Sequence, residues 1–266
     1  MAYGLTKSLD LESGSSQYGA KSDTASLSQA GDMSIESWLN VESIPALMGI
    51  FCKGTAGSSN LAYNLSITAG GLLQFLASSD GTSSNRDQIE TDAAVFSAGN
   101  FGTWVHVAVT YDLSARDAVF YVNGSEVAST PDTAGTMASV FDSAADLNVG
   151  ARAAANFYDG KISLVRYWSD IRTQSEIDNN KCNVFGTAEA GMIGEWSLND
   201  VYTNYSGGES LTLTPSGTPA FVEDVPSTCT VSGPANLKTY NTNAKANIKT
   251  INTNAIANVK TLDTNA

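Results

Sequence analysis

Residues 103–112 read Thr-Trp-Val-His-Val-Ala-Val-Thr-Tyr-Asp, a run whose apolar side chains fall on both faces of an extended strand. Such a strand belongs in the middle of a sheet with a layer on either side. A few residues later, Ala118-Val119-Phe120-Tyr121-Val122 and Ser125-Glu126-Val127 flank Asn123-Gly124. That dipeptide tolerates the positive φ angles of a two-residue hairpin turn. A central strand followed by a tight hairpin commits the chain to antiparallel sheet. The surrounding sequence agrees: Met33, Ile35 and Leu39 alternate with Glu36, Trp38 and Asn40, and turn signals recur at Asp80-Gly81 and Asp159-Gly160. One helix is expected, where Thr173 stands as N-cap and Glu176, three residues on, completes a capping box. Many short strands, one short helix and no βαβ rhythm define an all-β sandwich.

This pattern runs from residue 7 to about 225 and stops at Pro226–Pro234. Beyond that break the chain repeats: NLKTYNTNAKA, NIKTINTNAIA and NVKTLDTNA, with a period of 11. We therefore expect two parts, a sandwich over 1–230 and a repetitive tail over 231–266. In the tail, Leu237, Tyr240, Ala244, Ile248, Ile251, Ala255, Val259 and Leu262 are spaced by three and four residues, which places them on one helical stripe. An odd period would flip faces in a strand. The Asn and Thr content makes a lone helix weak, so burial of the stripe must supply the stability. The expectation is a homo-oligomeric helical stalk of slightly right-handed coil, a trimer first, acting as oligomerisation element. The alternative is an anchor docking into a particle shell.

Charge narrows the partners. The chain carries a net charge of −13, which disfavours nucleic acid and anionic membrane surfaces, both of which need clustered Lys and Arg. No apolar run of eighteen residues is present, so no membrane span is expected, and the N-terminus reads without a signal segment. Cys52, in Ile50-Phe51-Cys52, reads as a core residue. Cys182 and Cys229 leave a bridge open, because three cysteines do not make a disulfide framework.

Several blocks in order resemble the laminin-G-like branch of the concanavalin A-like lectin/glucanase superfamily. They are Trp104–Tyr111, Val119–Gly124, Leu147-Asn148-Val149-Gly150, Phe157–Trp168 and the Arg172–Ile177 helix, with Ser8–Leu11 and Ser34–Trp38 as opening strands. The resemblance covers about residues 7–225. It implies an antiparallel jelly-roll sandwich, closed from the C-terminal side by Met192–Leu198, and modules of this kind occur among bacteriophage and microbial surface proteins. It does not name a ligand, because one fold hosts many functions.

Candidate chemistry is sparse. His106 is the single histidine and sits between Val105 and Val107 in a central strand, where a packed histidine is the plain reading. The superfamily's hydrolases place paired carboxylates along one strand, one as nucleophile and one as acid. Here Glu176-Ile177-Asp178 only imitates that motif: Lys181 replaces the last acid, and the segment belongs to the helix. No catalytic residue is therefore expected. The resemblance implies a cation site at Asp-Gly-x-Ile-Asp. Asp159 keeps the first acid and Ser163 replaces the second, so a weak calcium site at Asp159 is the most that is expected and no other cofactor is. Trp38, Trp104, Trp168 and Trp196 stand at family core positions and read as buried. Loop residues Asp80, Asn85, Arg86, Asn156 and Tyr158 remain as candidate ligand contacts.

The expected function is a non-catalytic carbohydrate- or surface-binding module, its head meeting a glycan or surface protein. With no signal segment and an assembly tail, the favoured setting is the virion or an extracellular surface. The alternatives are a purely structural capsid, tail or fibre protein and, behind it, a glycoside hydrolase.

Overall fold

The computed structural model describes residues 4–54, 59–204 and 209–229. In chain order the strands are β1 (Ser8–Leu11), β2 (Tyr18–Lys21), β3 (Met33–Val41), β4 (Met48–Lys53), β5 (Tyr63–Ile67), β6 (Leu73–Ser78), β7 (Arg86–Thr91) and β8 (Trp104–Asp112). They continue as β9 (Asp117–Val122), β10 (Ser125–Val127), β11 (Ser129–Ala134), β12 (Leu147–Val149) and β13 (Gly160–Trp168). After helix α1 (Gln174–Asn180) come β14 (Met192–Trp196), β15 (Thr214–Ser216) and β16 (Ala220–Val222). The oligomerisation stripe from Leu237 to Leu262 lies outside the described residues.

Two antiparallel sheets of eight strands form a sandwich. The first runs β10-β9-β8-β3-β13-β1-β16, with β14 beside β13; the second runs β11-β7-β6-β5-β4-β12-β2-β15. The chain changes sheets between β10 and β11, at Ala128. The expected hairpin forms at Asn123-Gly124, with φ of 53° and 85°, and it joins β9 to β10 in register. Alternation then builds the core. Ile35 and Leu39 of β3, and Val107, Val109 and Tyr111 of β8, face Phe51, Tyr63, Leu65 and Phe75 of the second sheet. Phe51, Tyr63 and Tyr167 pack ring against ring, with centroids 5.2–6.2 Å apart. Burying an aromatic side chain of this size stabilises by roughly 1.5–3 kcal/mol relative to exposure.

The outer face of the first sheet is covered as well. Thr173 and Glu176 cap α1 reciprocally, and Ile177 of the helix packs on Ala108 and Tyr121. Beside it, Leu5, Trp38, Leu164, Val184 and Cys229 form a second apolar cluster. The Cys182–Cys229 bridge forms, with Cα atoms 4.8 Å apart across 47 residues. Closing a loop of that length removes unfolded-chain entropy equivalent to about 4 kcal/mol in the loop-closure model. Trp38, Trp168 and Trp196 are enclosed as expected. Trp104 is half-buried and donates its indole N–H to Asp224, 2.9 Å away. Among the described residues no helix is long and apolar enough to cross a membrane.

Candidate functional site

Four ionisable side chains point outward from the first sheet and are nonetheless buried. Arg166 of β13 donates through Nε to Glu195 (2.8 Å) and through Nη1 to Glu36 (3.1 Å) and the Asn180 carbonyl (3.0 Å); Nη2 donates to the Asn183 carbonyl. Glu195 also accepts from the backbone N–H groups of Phe185 and Gly186, and the Trp168 indole donates to Glu36. Burial works to raise the Glu36 pKa, but Arg166 and His106 outweigh it and hold the carboxyl at about 2. His106 Nε2 lies 3.2 Å from Glu36 Oε2, in contact but not aligned as a hydrogen bond. Burial pushes the imidazole pKa down, against the pull of Glu36. Glu36 and Glu195 are thus two carboxylates on one arginine, sealed from any cleft. Glu176 is committed to the helix cap and Asp178 to Lys181. None of these acids is placed to act on a glycosidic bond.

The second sheet presents a different outer surface. Opposite the core-facing residues, one transverse row crosses all eight strands: Asp132, Gln88, Leu76, Asn64, Cys52, Asn148, Ala20 and Thr214, each paired with the next. A recess opens at each end of the row. One, of about 220 Å³, is bordered by Tyr18, Asp146, Asn148, Ala153 and Ala154; the other, of about 350 Å³, by Gln88, Glu90, Asp92, Thr130 and Asp132. Tyr18 rests against Phe157, their ring centroids 5.9 Å apart. Asn64 is 1% exposed, yet neither its amide nitrogen nor its amide oxygen has a hydrogen-bond partner. Leaving a buried polar group unpaired costs roughly 1–3 kcal/mol, so this face carries hydrogen-bonding capacity that folding does not use.

The loop after β12 completes the site. Arg152 and Ala155 exchange both backbone hydrogen bonds across a two-residue turn. Ala153 and Ala154 adopt φ of 54° and 51° there, the geometry that favours Asn-Gly and costs alanine about 1–2 kcal/mol per residue. Gly49 makes the loop's position available: a Cβ at 49 would collide with the Ala151 and Arg152 backbone, and its N–H donates to the Asn156 carbonyl at 2.9 Å. Arg152 therefore lies along β4 and is 8% exposed. Its Nε is buried without a partner. The nearby Cys52 thiol is pushed up to about 11 by burial, with the Arg152 charge acting in the opposite sense.

The candidate residues singled out in the sequence fall into three places. Asp80, Asn85 and Arg86 do come together, but in a turn that spends them on itself. Asp80 accepts from Thr82 and Asn85 (2.8 and 2.5 Å), which hold its pKa at about 2, while Arg86 pairs with Asp132. Asn156 belongs to the Arg152 loop and is exposed. Tyr158 needs correction: it is no loop-tip platform, because its N–H bonds to Gly150 and its ring is fully buried in the core. Asp159 ties the loop ends together, accepting from the Ser13 N–H (3.1 Å) and the Ser43 hydroxyl (2.6 Å). Burial raises its pKa and these hydrogen bonds lower it further, so the net shift is downward. Ser163 is fully buried in β13, and no cluster of three or more metal-ligating side chains occurs among the described residues.

Arg152 and Asn64 were missed. The available signal was a lone cation in Gly150-Ala151-Arg152-Ala153-Ala154-Ala155, with no acid inside the run to pair it.

Two antiparallel eight-stranded sheets with one short helix make a concanavalin A-like sandwich. The chain belongs to the laminin-G-like family of the concanavalin A-like lectin/glucanases superfamily, whose model matches residues 13–178. No curated protein matches in sequence. Among solved structures, a Bacteroides ovatus protein assigned a carbohydrate-binding role superposes with a TM-score of 0.59 at 18% identity. The match covers 83% of this chain and 60% of that one, so the chain spans under two thirds of that protein. The heptameric SAP-like pentraxin of Limulus polyphemus gives 0.47 at 13% identity, covering 79% and 96%. The CBM40 of a Ruminococcus gnavus sialidase, bound to sialyllactose, gives 0.49 at 14%, covering 66% and 98%.

Proposed function

We propose that this chain is a non-catalytic carbohydrate-binding module whose ligand lies on the outer face of the second sheet, above the recess bordered by Tyr18 and Asn148. The observation that carries this reading is the polar recess itself, where the Tyr18 ring stands beside Asn60, Asp146 and Asn148. Sugar hydroxyls both donate and accept, which suits side-chain amides, and the half-buried Tyr18 ring at the rim offers an apolar face for a pyranose. The recess is smaller than the roughly 300–1,000 Å³ of pockets for drug-sized ligands, so it suits one sugar unit. The family and the carbohydrate-binding role assigned to the Bacteroides protein support the same class of ligand. In our reading the module is displayed on a virion or extracellular surface. The 11-residue repeat of 231–266 would multiply weak sites into avid ones.

Array screening followed by calorimetry tests this. Tyr18→Ala and Asn148→Ala are each expected to weaken binding of the best oligosaccharide by about tenfold, with the melting temperature kept. Full-strength binding by both variants would refute the site. Absence of glycan binding altogether would favour a purely structural role.

A further inference from the structure

The recess bordered by Tyr18 and Asn148 has a wall that folding itself fixes. Lys53, at the end of β4, is fully buried and reaches the loop before β12, where Nζ donates to the Ala145 carbonyl (3.1 Å) and to the Ser143 carbonyl. Its charge is met by Asp23, 2.6 Å away. The buried Ser143 hydroxyl donates to Asn60, whose carboxamide oxygen lies at 2.6 Å and backbone carbonyl at 2.7 Å, and it accepts from the Ala145 N–H at 3.1 Å. Asn60 and Ala145 both border the recess, so its rim is braced from within. Asp146 follows directly in the chain, and the Asn148 amide donates to the Asp146 carbonyl at 3.4 Å. The Asp146 carboxylate stands apart from this network. It is exposed at the recess and, among the described residues, makes no hydrogen bond or ion pair.

Resting on the carbohydrate reading above, we infer that the sugar seated at this recess is uncharged, and that Asp146 selects it by accepting from its hydroxyls and repelling carboxylated sugars. A carboxylate only accepts, through two oxygens, so it needs a ligand that presents donors. Hydroxyls on adjacent ring carbons do so, and bonds to an ionised acceptor are about twice as strong as those between neutral groups. An acidic sugar would instead bring a second negative charge to the same rim, and like charges set against each other at an interface suppress binding. No cation at the rim offsets this. None of the described residues bordering the recess is a lysine or arginine, and Thr55-Ala56-Gly57-Ser58, which follows Gly54, contains neither. Lys53 is engaged behind the wall by Asp23 and two carbonyls. Arg152, which precedes Ala153, is buried and does not border the recess. The net charge of −13 acts in the same sense over longer range.

The test screens the full chain on an array that pairs glycans ending in galactose, glucose or mannose with the same glycans ending in the corresponding uronic acids. Calorimetry then follows the tightest pair for the wild type and for Asp146→Asn, which keeps the shape and drops the charge. The wild type should bind the neutral member at least tenfold more tightly than the acidic one. Asp146→Asn should weaken the neutral member by about tenfold and bring the ratio to about one. Raising salt to about 0.5 M should narrow the wild-type ratio and leave that of Asp146→Asn unchanged, because exposed charges are screened. Carboxylated glycans that bind the wild type as tightly as their neutral partners, or more tightly, would overturn the inference while leaving the carbohydrate reading intact. A ratio unmoved by Asp146→Asn would overturn Asp146's part in it. An array silent for both kinds would instead remove the carbohydrate reading itself.

Discussion

Arg166 and Arg152 are both buried on outward-facing surfaces, one on each sheet, and the fold treats them oppositely. Arg166 meets two carboxylates and two backbone carbonyls beneath α1 and the segment latched by Cys182–Cys229. Among the described residues Arg152 makes no ion pair, and its Nε is buried without a partner. Covering one sheet completely turns its polar residues into structure. On the other sheet the middle strands β4, β5 and β6 are buried throughout, and polar side chains reach solvent at the Tyr18–Asn148 recess and at the Gln88–Asp132 end. In the proposed function the two outer faces would divide stability from recognition.

The contrast can be broken most forcefully at Arg166. Arg166→Ala strands Glu36 and Glu195 together in a buried site, and loss of one partner from such a cluster costs about 3–5 kcal/mol. For a domain of this size that is roughly 10 °C of melting temperature. Arg152→Gln removes an unpaired charge and should stay within about 1 kcal/mol of the wild type. Denaturant titration of both variants checks this; equal losses would mean that Arg152 is as structural as Arg166.

A smaller effect is expected from acid. The folded pKa of Glu36, about 2, lies below its ordinary value of 4.5. Its contribution is therefore complete above about pH 4.5 and is lost as pH falls towards 2, amounting to roughly 2 kcal/mol by pH 3. His106 acts in the same direction: its folded pKa is also depressed, so below about pH 6.5 the unfolded chain binds a proton that the folded one resists. Asp10 and Glu12, raised by burial, oppose this in part. Stability measured by urea between pH 7 and 3 should fall, and less steeply in Glu36→Gln. A flat profile, or an unchanged slope in the variant, would contradict the covered-face account.

What the sequence disclosed is what depends on local pattern. The central strand 103–112, the Asn123-Gly124 hairpin and the Thr173–Glu176 capping box each rest on residues within a few positions of one another, and each formed where expected. The candidate site rests on distance. Arg152 is buried because Gly49, about a hundred residues earlier, has no side chain to keep the loop off β4. Tyr158 reads as a loop tip until the sandwich draws its ring inward. Asp80, Asn85 and Arg86 were legible as a polar turn, but nothing in their spacing shows that Asn85 satisfies Asp80 or that Arg86 pairs with Asp132. The Cys182–Cys229 pairing likewise needed the three-dimensional arrangement of segments 47 residues apart.

The central claim is that the second sheet's outer face receives the ligand and the first sheet's does not. Side-chain ¹⁵N resonances report on it directly, through the amides of Asn64 and Asn148 and the Nε groups of Arg152 and Arg166, during titration with the best-binding oligosaccharide. We expect a saturable shift at Asn148, which borders the recess, with Arg166 unmoved. Shifts at Arg166, or at the Asp80–Arg86 turn, with the second face silent would contradict the account.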